Sequence, residues 1–75
     1  MKINAEALVA RWELNGHNPE HPAYLIAKAI VMYDLDQQST IKATRDWMYM
    51  GHYKGPYSWV GVQAVLDLYT TEVNE

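Results

Sequence analysis

Two breaks rich in glycine and proline cut this chain into pieces no longer than short helices, and they constrain the fold more than any other feature. The first is Gly16-His17-Asn18-Pro19-Glu20-His21-Pro22, and the second runs from Gly51 through His52-Tyr53-Lys54-Gly55-Pro56-Tyr57. Proline removes a backbone donor and glycine frees the chain to turn, so neither stretch continues a helix or a long strand. A milder interruption, Asp34-Leu35-Asp36-Gln37-Gln38, is charged and amide-rich. Four segments remain, and a chain of 75 residues has room for one small domain, expected to span 1–75.

Each segment has helical spacing and a start signal. Asn4 can cap a helix over 4–15 in which Ala5, Leu8, Val9 and Trp12 recur on one face, Glu6 lies in the favourable first turn and Gly16 follows as a stop. Pro22 suits the first turn of a second helix over 22–33. That helix is apolar nearly all round (Leu25, Ile26, Ala29, Ile30, Met32, Tyr33), interrupted by Lys28, so it is expected at the centre, touched on more than one side. Ser39 or Thr40 is the expected cap of a third helix over 40–50 that buries Ala43, Trp47 and Met50, supported by Thr44 and Met48, before Gly51 ends it. Ser58 can cap a fourth, running to about residue 70, with Trp59, Val62, Leu66 and Tyr69 in one stripe and Val65 beside it; residues 71–75 are expected to fray.

The fold class that follows is all-α, a small compact bundle of about four short helices, with Leu8, Trp12, Ile26, Ile30, Trp47, Val62 and Leu66 as its scaffold. The rival is α+β with a hairpin around residues 47–62. Trp47-Met48-Tyr49-Met50 and Tyr57-Ser58-Trp59-Val60-Gly61-Val62 both have strand propensity, and Lys54-Gly55-Pro56 can turn between them. Gly61 inside the fourth helix signals either a close approach of the third helix or a displaced helix start.

Charge and cysteine count exclude several functional classes. Six basic residues stand against nine acidic ones, a formal charge of -3, and Lys2, Arg11, Lys28, Lys42, Arg45 and Lys54 are scattered rather than clustered. Nucleic-acid or anionic-membrane binding normally needs a clustered basic surface, so direct nucleic-acid binding is disfavoured. The absence of cysteine removes disulfides, thiolate catalysis and zinc sites built on sulfur. No apolar run reaches membrane-span length and the first residues lack a signal-peptide pattern, so a cytoplasmic location is expected.

Residues that could carry chemistry have simpler roles. His17 and His21 are four apart, but Pro19 between them breaks any helical pair and a third ligand is missing, so they are expected to hold the start of the second helix rather than a metal. Asp34 and Asp36 sit in a solvated break, Asp46 can pair with Lys42 one turn earlier, and Asp67 lies on an exposed flank. Ser39, Thr40 and Ser58 read as caps, with no base or oxyanion donors in view. No enzyme activity, metal or cofactor is expected.

Aromatic density remains: Trp47, Tyr49, Tyr53, Tyr57 and Trp59 fall within 13 residues around a glycine-proline turn. Trp47 and Trp59 have helical partners for core packing, whereas Tyr49, Tyr53 and Tyr57 can stand at a rim with His52 and Lys54, or else clamp the connector to the core. The functional expectation is a small non-enzymatic protein-interaction domain, an inhibitor or accessory subunit of a larger protein or a homodimer, binding through Tyr49, Tyr53, Tyr57 and Lys54. The alternatives are a repressor-like nucleic-acid-binding regulator and a small enzyme.

Overall fold

Four side-chain caps start the four helices of the bundle in the computed structural model, which describes residues 2–71. Asn4 accepts from the Ala7 N–H at the start of α1 (Ala5–Leu14), and His21 accepts through Nδ1 from the Ala23 N–H at the start of α2 (Pro22–Tyr33). Asp36 accepts from the Ser39 N–H at the start of α3 (Gln37–Tyr49), and Ser58 from the Gly61 N–H at the start of α4 (Trp59–Leu68). The ends are equally explicit. Gly16 and Gly51 adopt φ of 67° and 84° just beyond α1 and α3, the left-handed turn a side chain resists. At each end two successive N–H groups return to the last turn: Gly16 and His17 to the Glu13 and Trp12 carbonyls, Gly51 and His52 to those of Met48 and Trp47.

Helix α2 packs against each of the other three helices, as its nearly all-round apolar sequence predicts. The burial is uneven, because Pro22, Ala23, Tyr24, Ile26 and Ala27 are buried while Leu25, Val31, Met32 and Tyr33 are exposed. The core joins Ala23, Tyr24, Ile26 and Ala27 to Leu8 and Ala5 of α1, Val62 and Leu66 of α4, and Ile3. Ile3 belongs to β1 (Lys2–Ile3), which pairs antiparallel with β2 (Thr70–Thr71) in the register Lys2 with Thr71 and Ile3 with Thr70. The Asn4 N–H extends this pairing to the Tyr69 carbonyl, and the Ile3 N–H donates to Gln37 Oε1 of α3, so the first residues lace α3 and the end of α4 together.

The rival fold is ruled out, and three expectations need correction. The hairpin around 47–62 is absent: residues 47–49 lie in α3 and 59–62 in α4, because the left-handed turn at Gly51 closes one helix and the Ser58 cap opens the next. Helix α3 starts three residues before Thr40, because the Asp36 carboxylate is the cap and places negative charge at the helix N-terminus. Ala43, Trp47 and Met50 are not buried; α3 meets the core through Ile41 and Met48, both half-buried, and contributes no fully buried residue. Helix α4 stops at Leu68, and Thr71, expected to fray, pairs with Lys2; residues 72–75 lie outside the described residues.

Candidate docking face

The misassigned stripe of α3 faces a groove. Pro22, Leu25, Ile26 and Ala29 of α2 repeat at the same intervals as Thr40, Ala43, Thr44 and Trp47 of α3, and these two helical faces wall a groove of about 440 Å³. Leu25 is 51% exposed and Trp47 44% exposed, so the walls are only half covered. No acidic or basic side chain is among the described residues lining the groove. Helical rotation places Met32 beyond Leu25 and Ala29, and Met50 beyond Trp47, extending both apolar rows.

Tyr53 closes one end. Its ring tilts against the Trp47 indole at 5.5 Å, and it is the one groove residue supplied by the α3–α4 connector. Gly55 lies against the Tyr53 phenol so closely that a Cβ there would collide with the ring. The glycine-proline turn therefore has a packing role: it lets the connector fold over Tyr53, which in turn buttresses Trp47.

Tyr57 turns to a different neighbour. Its ring lies 4.2 Å from the His21 imidazole, and its hydroxyl accepts from Asn18 Nδ2 at 2.9 Å. The Asn18 carbonyl accepts from the Trp12 indole at 2.8 Å, and the Trp12 ring contacts His17, His21 and Tyr24. This cluster ties the α1–α2 loop to the connector across 39 residues of chain. Burial pushes the His21 imidazole below its usual pKa, and the bond from the Ala23 N–H requires a lone pair on Nδ1, so the neutral ring fits the site.

The four expected binding residues have different neighbours. Tyr53 joins Trp47 at the groove and Tyr57 joins Asn18 and His21, while Tyr49, 69% exposed, leaves α3 on the side away from Trp47. Lys54 is exposed on the connector. Leu25 was missed as a surface residue because an apolar face of a central helix carries no local sign of being left open.

The acids, hydroxyls and histidines named above mostly have local partners. Asp36 caps α3, and its hydrogen bonds from Ser39 lower the carboxyl pKa. Asp67 accepts from Gln63, Thr40 bonds back to the Asp36 carbonyl, and Asp46 lies 3.6 Å from Arg45 rather than pairing with the expected Lys42. His21 caps α2 as expected; His17 rests on Trp12. Glu13 accepts from the Tyr24 hydroxyl and from Lys28, and both bonds lower its pKa. Among the described residues no group of three or more His, Cys, Asp or Glu side chains is placed to hold a metal, and no buried side-chain nitrogen or oxygen lacks a partner. No described helix is long and apolar enough to cross a membrane.

Comparison of the chain with protein-family models, curated proteins and solved structures gives no match to any of them.

Proposed function

We propose that this chain is a small, non-enzymatic, cytoplasmic protein-docking domain whose docking face is the α2–α3 groove. The observation that carries the reading is the uncharged groove itself, half open at Leu25 and Trp47 and braced by Tyr53. Apolar surface of this kind is stabilised when it is covered, and a rigid indole backed by a tyrosine loses little entropy when a partner fixes it. Tyr53 is an anchor in this reading, with Lys54 beside it as a rim charge. Tyr57 contributes by holding the connector, and Tyr49 marks a separate exposed position. The domain then acts by occupying or completing a protein surface, as an inhibitor, an accessory subunit or one half of a homodimer.

Ala43→Glu tests the reading cleanly. Ala43 is exposed and glutamate is a good helix former, so the substitution puts a charge in the groove without removing a core contact. In affinity capture from lysate with nuclease present, a protein enriched by the wild type is expected to be lost with Ala43→Glu and kept with Tyr49→Ala. Equal enrichment by the wild type and both variants contradicts docking through the groove, and a signal abolished by nuclease transfers the assignment to nucleic acid.

A further inference from the structure

The α2–α3 face admits a more specific assignment, which rests on its reading as a docking surface. We propose that its occupant is a second copy of this chain, held in a two-fold pair in which the α2–α3 layer of one copy packs on that of the other.

Charge supplies the first argument. The chain carries nine acidic residues against six basic ones, so two copies share the same net charge and repel weakly at long range. The groove lining contains no acid or base among the described residues, which makes it a place where like copies can meet without opposing charges. A face selected for a partner of opposite charge would carry its own charged groups to steer and align that partner. An uncharged apolar centre instead resembles the interior of homodimer interfaces.

Area and shape supply the second. Leu25, Met32, Trp47 and Met50 are 51%, 59%, 44% and 70% exposed and lie along the two apolar rows. Covering them with Ala29 and Ala43 removes on the order of 500 Å² from each copy, about 1,000 Å² in all, near the lower limit for a specific interface. A patch of that size matches the largest, often functional, patch of a typical monomer, and the dimer it makes is small and reversible. The face also holds both parts of its own complement: the alanines leave a depression, and Leu25 and Trp47 stand beside it as ridges. A two-fold axis presents the ridge of one copy to the depression of the other, which satisfies ridges-into-grooves packing and closes the assembly at two chains.

Sedimentation velocity of the purified full chain, from low micromolar to millimolar concentration, reads this directly. The wild type and Tyr49→Ala are expected to rise from the mass of one chain to twice that mass, and Ala43→Glu to stay at one chain with an unchanged circular dichroism spectrum. Ala43→Ser, which keeps the depression small and uncharged, is expected to retain the doubled mass, so the loss in Ala43→Glu reads the buried charge rather than a damaged fold. One-chain mass at every wild-type concentration overturns the proposal, as does a doubled mass undiminished by Ala43→Glu. A monomeric wild type that still loses a captured protein on Ala43→Glu retains the docking face and rejects the second copy.

Discussion

Single residues fix much of this molecule, and His21 does so most fully. Its buried imidazole caps α2 through an unprotonated Nδ1 and packs on Trp12 and Tyr57. Burial lowers its folded-state pKa below 6.5, whereas the unfolded chain takes up the proton near 6.5, so unfolding binds protons as the pH falls. The stability held above pH 6.5 is therefore lost progressively as acidification passes from 6.5 through the lower folded-state value. Urea melts between pH 7.5 and 5 are expected to show this decline, and His21→Asn, which keeps a capping oxygen, to flatten it; parallel decline in both proteins assigns the effect elsewhere. Tyr57→Phe deletes the acceptor for Asn18 Nδ2 while keeping the ring on His21, and is expected to lower unfolding stability by about 1 kcal/mol in the same melts. Gly61 has the opposite sign. An added Cβ would meet nothing closer than Ser58 Oγ at 3.9 Å, so neither close approach nor a displaced start explains this glycine, and Gly61→Ala is expected to raise stability by about 0.5–1 kcal/mol.

At the scale of the element, helix existence was legible because stop signals and caps are local. Pro22–Tyr33 is bounded by a proline and a charged break, and Asn4 and Ser58 were readable as caps. The start of α3 was not, because Asp36, Ser39 and Thr40 all have capping side chains and only the folded backbone shows which one is used. Asp36→Ala is expected to lower both helicity and melting temperature in circular dichroism, while Ser39→Ala leaves both near wild type. The face of α3 was illegible for a different reason. Ile41 and Met48 form one apolar row and Ala43, Trp47 and Met50 another, and periodicity cannot say which row a small core will accept. Pairing between residues 2–3 and 70–71 was equally hidden, since two-residue strands have no period and their partners lie at opposite ends of the sequence.

For the whole molecule, the modest core explains why a groove remains. Leu8, Val62 and Leu66 fill the interior around α2, the Ile3 strand pair laces its edge, and α3 is left with one row covered and one open. The aromatic density in the sequence splits accordingly: Trp12, His21 and Tyr57 lock the connector to the α1–α2 loop, whereas Trp47 and Tyr53 face the groove. The most direct test is backbone-amide and tryptophan-indole NMR across a dilution series of the full chain. Association through the α2–α3 face predicts concentration-dependent shifts concentrated at Leu25, Ala29, Ala43 and the Trp47 indole, with Asn18, Tyr49 and the Trp12 indole unchanged. Shifts concentrated at those last three groups, or spectra that do not change with concentration, would contradict it.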